Sequence, residues 1–215
     1  MKKQLILSAI AAVALGAPAA SMAESLDFNY KVDRFADIEV LRYKVPDFEQ
    51  LTIQQKELVY YLTEAALYGR DILTDQNGKY NLAIRTTLEN IYKNYDGSKD
   101  DADYKGFVLY LKQVWFANGI HHHYSADKFK PQFSQTFFET QVKKLSKKQL
   151  PLKKGQTVDA FLKEITPVIF DPTVMTKRVN QANGQDLILT SANNYYEGVT
   201  QAEVEEFYRS MADPA

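Results

Sequence analysis

Apolar residues recur three and four positions apart through one stretch of this chain after another, a period that belongs to helices packed on a shared core. Leu58, Tyr61, Leu62 and Ala65 keep this spacing behind Thr52 and Gln55, which read as a capping box, so a helix is expected from about 53 to 70. The Asp75-Gln76-Asn77-Gly78 turn leads to a second helix, with Ile84, Leu88, Ile91, Tyr92 and Tyr95 on one face and Gly97 as its stop. Tyr104, Phe107, Val108, Leu111, Val114 and Trp115 repeat the pattern in a third helix that ends near Asn118-Gly119. Ser134 caps a helix carrying Phe138, Val142 and Leu145. Thr157 opens another, with Val158, Phe161, Leu162 and Ile165, which Pro167 is expected to halt. Thr200 and Glu203 form a second capping box ahead of Val204, Phe207, Tyr208 and Met211.

Strand signals are fewer. Asp37 to Val45 mixes alternation with β-branched and aromatic residues before Pro46, and Asp186 to Thr190 reads as a short strand after the Asn183-Gly184 turn. Residues 24 to 33 show no periodicity and read as a lead-in strap. With no internal repeat, low-complexity tract or clear linker, the expected architecture is one mostly helical α+β unit.

Lys plus Arg total 26 against 27 for Asp plus Glu, so no bulk field exists to hold a polyanion, and no nucleic-acid partner is expected. There is no cysteine, which removes disulfides, thiolate metal sites and a cysteine nucleophile. At the N-terminus, Lys2 and Lys3 precede an apolar run from Leu5 to Leu15 and then Ser21-Met22-Ala23. This pattern predicts a signal peptide over residues 1–23, cut after Ala23, and export to a periplasm or to the extracellular space. The run is shorter than the ~20 residues a membrane-spanning helix needs, so no membrane span is expected.

Two polar-aromatic clusters are candidate binding loops. The first is Asn118 to Tyr124, which holds all three histidines, His121, His122 and His123, in succession. Adjacent side chains point in different directions on a strand or a helix, so at most two of these rings could share an ion, with a carboxylate such as Asp127 completing a weak site. A surface loop with one ring hydrogen-bonded inward, and a ligand-recognition loop, are the other two readings. The second cluster runs from Ser191 to Gly198, where the Asn194 amide and the Tyr195 hydroxyl could grip a peptide backbone. Alternatively, Asn193 or Asn194 makes a turn and the tyrosines pack on the core. Glu203, Glu205 and Glu206 read as the polar face of the last helix, and nothing marks an acid and base pair.

Several runs resemble bacterial dipeptidyl peptidase III enzymes: Phe35 to Pro46, Gln55 to Leu62, Arg70 to Leu73 with Asp75 to Asn81, and Val114 to Tyr124 with Lys128, Phe129 and Pro131. The resemblance implies that residues 24–215 are the N-terminal, lower-lobe part of a zinc exopeptidase. Such an enzyme releases dipeptides from the N-terminus of short peptides, with two lobes around a wide cleft and zinc assisting the hydrolysis. It implies a small β-barrel core among helices, with Tyr124 as a wall of the substrate cleft, joined by Asn118, His121, His123, Asn194 and Tyr195. The family's His-Glu-x-x-(x)-His zinc helix is absent from this sequence. Zinc, the catalytic Glu and the upper lobe are therefore expected in sequence missing from this chain, and no cofactor is expected within it. The other reading is a complete non-catalytic exported module that binds peptides or a protein. If a lobe lacks its other half, it should expose an apolar patch larger than the roughly few hundred Å² usual for monomers.

Overall fold

The computed structural model describes residues 28–211, so the expected signal peptide at 1–23 lies outside the described residues. The chain divides into two compact units after Leu51.

In the first unit, β1 (Lys31–Phe35) and β2 (Ile38–Leu41) form an antiparallel hairpin, turned at Ala36 with φ 48°. Phe35 pairs with Ile38 and Arg34 with Glu39, and Lys31 forms an ion pair with Glu39 at 2.8 Å. β1 falls partly in the stretch read as a strap. Ile38 is the only buried residue of the two strands, so the hairpin has no alternating apolar face to advertise it in sequence. Arg42 closes the unit, bonding the Asn29 carbonyl at 2.8 Å and lying over the Phe28 ring.

The second unit is helical: α1 (Ile53–Gln76), α2 (Asn81–Asn94), α3 (Ala102–Ala117), α4 (Gln135–Lys144), α5 (Val158–Phe170), α6 (Leu187–Thr190) and α7 (Gln201–Met211). Thr52, Asp101, Ser134 and Thr157 each accept a hydrogen bond from a first-turn N–H, which satisfies donors that a helix start otherwise leaves orphaned. The core forms where the predicted faces meet, with Ile84, Leu88 and Ile91 of α2 against Phe107, Leu111 and Val114 of α3, and Phe138, Phe161, Ile165 and Ile169 beyond them. Phe107, Phe133 and Phe137 pack edge-on or tilted, with centroids 5.7 to 6.2 Å apart.

Two expectations about this unit are corrected. Pro167 sits inside α5, which runs three residues further to Phe170. Burying Val168 and Ile169 is worth about 1.5–3 kcal/mol each, enough to offset the ~3 kcal/mol cost of an interior proline. Residues 187–190 form a helical turn, not a strand. Asp186 accepts hydrogen bonds from the N–H groups of Ile188, Leu189 and Gln201, while the Gln201 side chain accepts from Leu187, so two interlocked caps override the apolar run.

The α+β expectation therefore holds coarsely: the described residues are mostly helical with one two-stranded antiparallel sheet, and they contain no closed barrel. None of their helices is long and apolar enough to cross a membrane.

α1 departs from the pattern of its neighbours. Thr74 is its only buried side chain. Leu58, Tyr61, Leu62, Tyr68 and Ile72 are all exposed, Tyr68 by 82%. Asp71 and Thr74 bond to Arg85 of α2, and at 3.6 residues per turn the stripe centred on Ala65 looks away from them. Phe207, Tyr208 and Met211 of α7 are exposed as well.

Candidate functional site

α3 ends on Asn118 in the left-handed region, with φ 51°. The turn that follows hugs Asn81, a residue 1% exposed whose Oδ1 accepts the Ile120 N–H at 3.3 Å. A Cβ on Gly119 would stand 2.3 Å from the Asn81 amide, so only glycine allows this approach. The loop then folds on itself through an isolated bridge between His121 and Lys128 and the bond from His122 N–H to the Asp127 carbonyl at 2.8 Å.

His121 parts from the other two histidines. His121 turns inward, 2% exposed, with Nε2 at 2.7 Å from the Met175 carbonyl and Nδ1 buried without a partner. Accordingly Nε2 carries the proton and donates. His122 Nδ1 accepts the N–H groups of Tyr124 and Ser125, both at 3.2 Å. His123 packs between His122 and Tyr124, its ring tilted against both at centroid distances of 4.4 and 4.2 Å, and meets Phe116 edge-on. Tyr124 is 86% exposed.

The second cluster joins the same base. The Asn193 N–H donates to the Arg178 carbonyl at 3.1 Å, while Asn194 donates from its backbone to the Gln76 carbonyl at 2.9 Å and from its amide to Asp75 at 3.4 Å. Asn194 thereby serves one of the carbonyls that the last turn of α1 leaves unpaired. Arg178 reaches the His123 carbonyl at 3.2 Å and Asn77 Oδ1 at 3.4 Å, and Asn77 Nδ2 donates to the Asn118 carbonyl at 3.1 Å. Tyr195 and Tyr196 stay exposed instead of packing on the core. The two polar-aromatic clusters, 118–124 and 191–198, are thus fastened by Asn77 and Arg178. Neither hub stands out in the sequence: Asn77 reads as a turn residue, and Arg178 lies in an aperiodic stretch with no local signal.

Burial holds the His121 imidazole down to about 4. The bond to Met175 opposes this, Lys128 and Arg178 reinforce it, and Asp127 opposes it. Asp127 itself is held below the usual carboxylate range, first by Lys177 at 2.5 Å and then by Ser125. Unfolding therefore exposes an imidazole that takes up a proton near pH 6.5, whereas the folded state refuses it until near pH 4. The His121 contribution is complete above pH 6.5 and is lost as pH falls toward 4, amounting to about 3 kcal/mol. Urea midpoints should fall across this window, and His121→Gln, which keeps a donor for Met175 but does not titrate, should flatten the fall. An equally steep fall in the variant would assign it to other groups.

The residues present do not fit a zinc ion. His121 Nε2 is committed to a carbonyl, His122 Nδ1 is an occupied acceptor, and no group of three His, Cys, Asp or Glu converges among the described residues. The arrangement instead suits contact with an extended ligand: an exposed phenol packed on tilted histidine rings, beside a second loop with tyrosine hydroxyls, both on a hydrogen-bonded base. The chain matches no protein-family model and no curated protein.

Proposed function

We propose that this chain is the N-terminal, lower-lobe part of an exported zinc-dependent dipeptidyl peptidase of the dipeptidyl peptidase III type, and that it forms cleft wall but not metal centre. In this reading Tyr124 and Tyr195 face short peptides. Asn118, His121, His123 and Asn194 hold the two loops in place. The β1–β2 hairpin contributes to the small β-barrel of the lower lobe, whose other strands lie in sequence outside this chain. Zinc and the catalytic Glu belong to that missing part. Residues 1–23 direct export.

The observation that carries the reading, beside the sequence resemblance, is the bare stripe of α1. Leu58, Tyr61, Leu62, Tyr68 and Ile72 form an apolar face, and a helix of that character is stable in water chiefly when another element covers it. The missing part of the peptidase would supply the cover.

The test is enzymatic. The purified, metal-supplemented 215-residue chain is expected to release no dipeptide from a dipeptidyl-naphthylamide and to hold no stoichiometric zinc. Turnover with tightly bound zinc would overturn the proposal. Reading the adjoining coding sequence for an in-frame His-Glu zinc motif separates this proposal from the non-catalytic binding module, which its absence would favour.

A further inference from the structure

Three consecutive helices leave an open groove of about 670 Å³ between them, apart from the tips of the two loops. Each helix contributes a stripe at helical spacing. α1 presents Leu67, Arg70 and Asp71, α2 presents Arg85, Glu89, Tyr92 and Lys93, and α3 presents Trp115 with Asn118 at its end.

The polar floor is already neutralised. Arg85 pairs with Asp71 and lies 3.6 Å from Glu89, while the Trp115 indole N–H donates to Glu89 at 2.9 Å. This network consumes both acids and fixes the indole, against which Tyr92 packs edge-on at 6.0 Å. Trp115 and Tyr92 nevertheless remain 41% and 45% exposed. Two cations are left over: the side chains of Arg70 and Lys93 make no ion pair or hydrogen bond among the described residues, and both line the groove. A fixed aromatic wall beside two uncommitted positive charges selects a ligand with an apolar body and an anionic end. Arginine in particular suits the planar two-oxygen geometry of a carboxylate.

We infer that this groove binds the carboxylate terminus of a short peptide, with Arg70 and Lys93 facing the carboxylate and Trp115 with Tyr92 flanking the last side chain. The site is separate from the peptidase reading, because it recognises the opposite end of a peptide and needs neither zinc nor a second lobe.

Trp115 is the only tryptophan in the chain, so intrinsic fluorescence reports on this groove directly. The probes are N-acetyl-Ala-Ala-Leu with a free carboxylate, the same peptide as its C-terminal amide, and sodium acetate, with calorimetry run in parallel. The acetylated N-terminus removes the end that a dipeptidyl peptidase would grip. The acid should bind saturably and about tenfold more tightly than the amide. The Arg70→Gln/Lys93→Gln variant should lose most of that preference while binding the amide as before. Both side chains are exposed, so the fold should survive the change. Acetate should bind far more weakly than the peptide acid. Absence of both emission change and heat, equal affinity for acid and amide, or an unaffected double variant would each overturn the inference. Acetate binding as tightly as the peptide would overturn it too, by reducing the groove to a simple anion site.

Discussion

Gly106→Ala is expected to destabilise the helical unit by about 3 kcal/mol or more, the upper range for overpacking a dense interior. Gly106 lies buried in the first turns of α3, where an added Cβ would stand 1.8 Å from the Gln132 carbonyl oxygen and 2.5 Å from its carbon. Both atoms are backbone, so no side chain can swing aside. The segment before α4 would have to lift from α3 and take Phe133 out of its contact with Phe107 and Tyr110. Alanine's better helix propensity returns only about 1 kcal/mol. Gly69→Ala is the internal control. It sits within α1 with nothing within 4 Å of the added carbon, and should stabilise by up to about 1 kcal/mol. Urea denaturation of both variants reads the contrast, and a Gly106→Ala protein as stable as the parent would refute the close approach of these two segments.

Lys128→Met is expected to cost about 3 kcal/mol and to loosen the candidate site at the same time, since each hydrogen bond to a charged group contributes roughly 1.5–3 kcal/mol and the bonds are not additive. The Lys128 ammonium donates to the carbonyls of Val168 at 3.1 Å, Val174 at 2.6 Å and Asp171, using all three of its protons. These carbonyls belong to the end of α5 and the turn after it, where a helix has unpaired acceptors and the negative end of its dipole. Burial lowers the lysine's pKa from its usual value, with Asp171 opposing. The next residue, Met175, holds a left-handed φ of 50° and supplies the carbonyl that binds His121. Removing the ammonium should therefore free this turn, and His121 should titrate closer to its ordinary value. Denaturant midpoints and a histidine NMR titration measure the two effects. Loss of stability without any change in His121 would show that the turn is held by other means.

The helices of the core were legible because each buries one side, so Ile84, Leu88 and Ile91 or Phe107, Leu111 and Val114 announce themselves by spacing. The same rule concealed β1, which buries nothing. It also overstated α1, whose apolar stripe is periodic yet uncovered. Of the candidate site, Asn118, His121, His123, Tyr124, Asn194 and Tyr195 were visible as unusual local composition. Their placement was not, because Asn77, Asn81 and Arg178 act through bonds spanning 39 to 101 positions in sequence.

By itself, then, the amino-acid order determined where the core helices α2 to α5 coil and which of their faces are buried, and it marked the caps at Asp101, Ser134 and Thr157, since each follows from neighbours within a few residues. Only the folded chain decided that one histidine is fully buried while its two neighbours are half-buried, that Pro167 remains within a helix, and that a lysine closes α5. Those outcomes depend on desolvation and on carbonyls brought from distant segments, and no local pattern of residues encodes them.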